Sequence, residues 1–270
     1  MSNPTIEFNW VGSQIPFIDQ PHIHRLNHIV VGRYGGNSSA GQTKNEDGCL
    51  IWFNKKGDWE FVILMDAHNT AESAELIVKQ LTLEKDQIQL ILSMPITHQT
   101  FKKLEEKILS IFQSNQFLSA CRTITGETAC LIVARKDKYV WWFSVGDCVL
   151  YLLHEELAAL GQYQVNQRQF YEWIGQVNTF EEPVPCYNVG MKELRKGDNR
   201  LFLTTDGLIE CPNDPYSNPI TIYHTFKNSK QNDSISSMFE TLIKNEVRDS
   251  TTIVSWNIPI LKEATKPSNA

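Results

Sequence analysis

Ile63-Leu64-Met65-Asp66-Ala67-His68 closes an apolar run, residues 59–65, with an acid, a small residue and a histidine. The run is strand-like. Residues 71–81 after it carry Ala74, Leu76, Ile77, Val78 and Leu81 at helical spacing, with Thr70 placed as an N-cap. A carboxylate where a buried strand meets a loop is partly desolvated, which disfavours its charge. It needs a partner, and one partner able to satisfy several such acids is a metal ion. On the other side of the run, residues 54–58 (Asn-Lys-Lys-Gly-Asp) make a turn between residues 49–53 and 59–65, which is a hairpin signal. An antiparallel hairpin sets the start of its first strand beside the end of its second. Glu46 and Asp47 therefore fall next to Asp66.

Further out, the pattern gives a strand at 28–33, a turn-rich loop at 34–41, and a helix from 97 with Phe101, Leu104, Ile108, Ile111 and Phe112 on one face. A second hairpin pairs 128–134 with 139–145; Gly146-Asp147 interrupts it before a strand at 148–153. Residues 169–177 read as a short helix. A strand at 201–205 ends in Asp206-Gly207, and 211–219, with three prolines, reads as a surface loop. Residues 234–245 are helical with Ser234 as N-cap, and Asp249 precedes the last strand, 251–256. Residues 1–27 form an arm or edge segment, 28–257 one domain and 258–270 a tail. The class is α+β: hairpins with helices outside them suggest two antiparallel sheets packed face to face.

Lys and Arg number 25 against 31 Asp and Glu, a net charge of -6, which argues against a dedicated nucleic-acid binder. The six cysteines are scattered without a CxxC and read as reduced intracellular thiols. No secretory leader and no apolar run of about 18 residues is visible, so the expectation is a cytoplasmic protein without a membrane span.

Four aspartates sit at strand boundaries: Asp66, Asp147, Asp206 and Asp249. Glu46-Asp47 makes a fifth acidic place. Any one of them is most simply a turn acid or a cap, as Asp206-Gly207 is by itself. Together they offer oxygen ligands only, the choice of Mg2+ or Mn2+, while His and Cys are too sparse there for zinc. Two such ions about 4 Å apart generate a nucleophile and clamp a phosphate.

The chain resembles the metal-dependent protein phosphatases of type 2C, as found in bacteria. Asn45-Glu46-Asp47, Met65-Asp66-Ala67-His68, Val145-Gly146-Asp147-Cys148, Thr204-Thr205-Asp206-Gly207 with Glu210, and Arg248-Asp249-Ser250 match that family's motifs in order. The resemblance implies a four-layer α-β-β-α sandwich and hydrolysis of phosphoserine or phosphothreonine in proteins by a metal-activated water. The implied cofactor is Mn2+ or Mg2+, two or three ions, and the implied partner is a phosphorylated protein met by a monomer. By the same resemblance Asp66 bridges two metals, the Ala67 carbonyl binds the first, and Asp206 and Asp249 bind the second. Glu46 acts through water, Asp47 orients the nucleophile, and His68 is the general acid. Asp147, Asp206 and Glu210 hold a third ion. Ala67 stands where the family has Gly, Ser250 where it has Asn, and Gln42 where it has a phosphate-binding arginine; Lys44 or Arg33 is the expected replacement cation. Two rival readings follow from the last departure: a regulatory binding module with little turnover, and a small-phosphoester hydrolase.

Overall fold

The computed structural model describes residues 5–228, 231–266 and 268. The chain opens with strands β1 (Ile6–Val11), β2 (His22–Leu26), β3 (Ile29–Tyr34), β4 (Gly48–Asn54) and β5 (Trp59–His68). Helices α1 (Glu72–Leu83), α2 (Lys85–Ser93), α3 (His98–Phe112) and α4 (Asn115–Cys121) follow. Next come β6 (Glu127–Lys136), β7 (Tyr139–Val145), β8 (Val149–Leu153), α5 (Glu155–Ala159), β9 (Ile174–Gly175), β10 (Asn188–Glu193) and β11 (Gly197–Thr204). The short α6 (Asp206–Ile209), α7 (Pro219–Asn228), α8 (Gln231–Lys244) and β12 (Thr251–Ile260) complete it.

Two antiparallel sheets result. One runs β1-β4-β5-β6-β7-β10, with β9 paired to the start of β6; the other runs β2-β3-β12-β11-β8. Side-chain alternation explains why the strands are apolar on both faces. In β5, Phe61, Ile63 and Met65 pack under α1 to α4, while Val62 and Leu64 face the second sheet. In the second sheet, Val31, Leu203, Val254 and Trp256 face back across that gap. Val30, Phe202 and Ile253 point outward against α7 and α8. Three apolar layers thus separate four structural ones, the expected α-β-β-α sandwich. Truncating a buried residue such as Phe61 or Trp256, each fully buried, would cost about 3–5 kcal/mol.

The hairpin deduction holds: β4 and β5 pair with Gly48 opposite Met65, so Asp47 and Asp66 adjoin. The N-terminal segment supplies an edge strand to each sheet, β1 to one and β2 to the other. Other details differ from the sequence reading. β12 runs to Ile260, so the tail starts after it and not at 258. Residues 1–4, 267, 269 and 270 of the expected arm and tail lie outside the described residues. Residues 169–177 are not helical: Tyr171 has φ +69°, and Ile174–Gly175 instead joins β6 as β9. The residue before α1 is Ala71, while the Thr70 hydroxyl accepts from the Glu72 amide at 3.3 Å. Ser234 lies inside α8, where its hydroxyl bonds the Thr225 carbonyl of α7 instead of capping. The loop from 211 ends at Pro219, which opens α7, since proline suits a first helical turn.

Candidate metal centre

The sandwich has a mouth where β4 begins, β5 and β11 end, and β12 begins. Even-numbered residues of β5 face the gap between sheets, so Asp66 continues the line of Val62 and Leu64 into that mouth. From the facing sheet, β11 passes Thr205 and delivers Asp206 as the first residue of α6. Gly207 lets that turn pass close to β12: a Cβ there would lie 2.3 Å from the Ser250 carbonyl oxygen. Asp249 stands at the rim just before β12.

Asp47 is almost wholly enclosed, at 1% exposure. Thr252 and Thr205 both donate to its Oδ2, at 2.7 and 3.1 Å, and its own amide donates to the Asn45 side chain at 3.0 Å. These contacts tie the first acidic motif to the facing sheet. The Asp206 amide approaches Asp66 Oδ2 at 3.5 Å. Burial, then the charges of Asp47 and Asp249, push the Asp66 carboxyl well above the usual carboxylate range. Burial, then Asp66 and Asp249, push Asp206 up to about 11. Asp47 is raised by burial and by its acidic neighbours, against the hydrogen bonds from Thr252 and Thr205. Asp249 is raised by desolvation. Among the described residues no Lys or Arg pairs with any of these four acids. Crowded carboxyls in low dielectric resist ionising together unless a cation joins them.

A cavity of about 440 Å3 opens over this cluster, lined by Gln42, Lys44, Glu46, Ala67, His68 and Arg248 among others. Lys44 pairs with Glu46 and donates to the Asn69 carbonyl. His68 sits exposed at the end of β5, edge-on to Trp173 with ring centroids 4.8 Å apart. Arg33 is not in the cavity. Although it pairs in register with Thr252, its guanidinium lies over Phe8, Trp10 and Phe17 and contacts His22 Nδ1 at 2.8 Å. The aromatic side chains of β1 and of the stretch after it capture it, so that expectation is corrected. Arg248 stands in the last motif stretch beside Asp249, and spacing does not mark it as a cation for the site. It lines the same cavity, and among the described residues it makes no ion pair.

Beside the main cluster, oxygens of Asp147, Asp206 and Glu210 lie within 4.8 Å of one another. Gly146, at φ +86°, makes the turn that aims Asp147, and a Cβ there would meet Ala129 at 2.4 Å. Asp206 Oδ1 and Asp147 Oδ1 are buried without a hydrogen-bond partner. Orphaned carboxylate oxygens within an all-oxygen donor set fit a hard divalent cation. Arg168, which sequence spacing did not flag, reaches Asp147 and Glu210 from the loop after α5.

No protein-family model and no curated protein sequence matches the chain. Solved structures do. A variant of a bacterial serine phosphatase matches with a TM-score of 0.62 at 17% identity, covering 96% of this chain and 100% of that one. The serine/threonine phosphatase Stp1 from Staphylococcus aureus matches at 0.60 and 17% identity, over 88% and 94%. RsbX in complex with magnesium matches at 0.54 and 14%, over 88% and 100%. No helix among the described residues is long and apolar enough to cross a membrane. The fold is similar to that of solved bacterial serine/threonine phosphatases.

Proposed function

We propose that the chain hydrolyses phosphoserine and phosphothreonine in proteins, using Mn2+ or Mg2+ held by the acid cluster. The observation that carries this reading is the gathering of Asp47, Asp66, Asp206 and Asp249 at one mouth with no Lys or Arg paired to any of them among the described residues. Asp66, the Ala67 carbonyl, Asp206 and Asp249 would hold two such ions, with Glu46 beside them on the cavity wall. Such ions supply, when bound, a nucleophile at neutral pH and positive charge opposite the phosphoryl oxygens. Magnesium in one of the matched structures supports a hard divalent ion.

The chain's own residues do the rest. Asp47, fixed by two threonine hydroxyls, orients the attacking water. His68, held at the rim by Trp173, gives a ring proton to the departing serine or threonine oxygen. With Gln42 neutral and Arg33 engaged elsewhere, the phosphate falls to Lys44 and Arg248, of which Arg248 offers the planar fork that suits it.

The test is phosphate release from a phosphothreonine peptide with Mn2+, with chelator, and by Asp66→Asn. Metal-dependent turnover that disappears in the variant is the expected result. Mn2+ binding without turnover would favour the regulatory module, and a strong preference for small esters over the peptide would favour the small-phosphoester hydrolase.

A further inference from the structure

Arg168 occupies an unusual position. Its Nη2 lies 3.2 Å from Asp147 Oδ2 and 2.5 Å from Glu210 Oε1, and its Nε donates to the Asp147 carbonyl at 3.2 Å. Its guanidinium stacks over Phe170, 4.7 Å from the ring centroid. The backbone that carries it is clamped. Asn166 accepts from the Leu150 amide and donates to the Cys148 carbonyl, and the Gln169 amide donates to the Gly146 carbonyl. The guanidinium is therefore delivered by a tied-down loop to two of the three acids, Asp147, Asp206 and Glu210, that together offer a cation site.

A divalent ion there would share Asp147 and Glu210 with the guanidinium, leaning on Asp147 Oδ1 and Asp206 Oδ1, the buried oxygens without a partner. Such an ion sits about 2.0–2.6 Å from its ligands, so its charge would stand close beside that of a guanidinium already held on two of the same carboxylates, and the two cations compete for the place. We infer that Arg168 serves as the chain's own cation at the third acidic place, so that the wild-type centre takes two divalent ions and not three. The inference rests on the metal-centre reading above and replaces its third ion with a side chain. It also makes the loop bearing the exposed Phe170 and Tyr171 a structural partner of the acids, because withdrawing that loop would vacate the place.

The test is Mn2+ stoichiometry, by equilibrium dialysis and calorimetry, of the full chain, Arg168→Gln, Arg168→Lys, and Arg168→Gln combined with Asp147→Asn. Two ions are expected in the wild type and in Arg168→Lys, three in Arg168→Gln, and two again in the double variant. Thermal unfolding in chelator monitors folding, and Mn2+ should raise the midpoint of Arg168→Gln more than that of the wild type. Three ions in the wild type, or two in both the wild type and a folded Arg168→Gln, would overturn the inference alone. No ion in either protein would overturn the metal-centre reading and this inference with it.

Discussion

One strand carries two buried acids with opposite fates. Glu60 and Asp66 lie on β5, both even-numbered, 3% and 4% exposed, and about 20 Å apart at roughly 3.3 Å per residue. Burial alone would raise Glu60, but the charge of Arg135 and hydrogen bonds from His28 and Arg135 hold it below the usual range. Arg135 grips it with two nitrogens and also pairs with Asp58. Asp66 has comparable burial, but the charges near it are those of Asp47, Asp249 and Asp147, and burial with these drives its carboxyl well above that range. The difference is the counter-charge. The Glu60 end of the sandwich carries its own counter-charge, whereas at the Asp66 end no Lys or Arg among the described residues pairs with the acids. A cleft of about 550 Å3 at the Glu60 end is the larger of the two cavities, yet its buried acid is already satisfied.

That contrast is easiest to break at the acid-rich end. Asp206→Asn or Asp66→Asn should lower phosphopeptide turnover by roughly a thousandfold or more, the several kcal/mol of transition-state stabilisation that bound metal supplies. Steady-state kinetics with saturating Mn2+ checks this. At the balanced end, Arg135→Ala should cost about 3–5 kcal/mol in urea unfolding, because it leaves Glu60 buried and unpaired. Turnover per folded molecule should survive that change.

The two ends should also respond oppositely to pH. Asp66 and Asp206 have folded-state pKa values above their unfolded ones, so the folded chain holds protons that the unfolded chain releases. In chelator their contribution is fully present below about pH 4 and is lost as pH rises toward the folded values, about 11 for Asp206. Glu60 is depressed, so its contribution is present above the unfolded value and is lost as pH falls through the folded one. Thermal midpoints in chelator between pH 5 and 9 should fall for the wild type and fall less for Asp66→Asn. The smallest effect concerns phosphate. Arg248→Ala should raise KM about tenfold, the worth of one charge-assisted hydrogen bond, and Gln42→Arg in that background should restore it.

Much of this was legible in the sequence, for physical reasons. The turn at 54–58 fixed the pairing of β4 with β5, and with it the adjacency of Asp47 and Asp66. Strands apolar on both faces implied layers on both sides, which the three cores provide. What spacing could not carry is contact between distant segments. Arg168 reaches Asp147 and Glu210, and Arg248 the wall of the cavity, through loop paths that no periodicity encodes. Arg33 has the right register, opposite Thr252, but the aromatic side chains of Phe8, Trp10 and Phe17 draw it aside. The supposed helix at 169–177 is a loop because Trp173 is turned toward His68 and Ile174 pairs with β6. There tertiary contacts outweigh local propensity.

The most direct measurement is the shift in thermal midpoint that Mn2+ produces at pH 8 in the wild type, Asp66→Asn and Arg135→Ala. If the mouth is an acid cluster awaiting cations, Mn2+ raises the midpoint of the wild type and of Arg135→Ala by similar amounts, and raises that of Asp66→Asn far less. An absent shift in the wild type, or an equal shift in Asp66→Asn, would contradict the account.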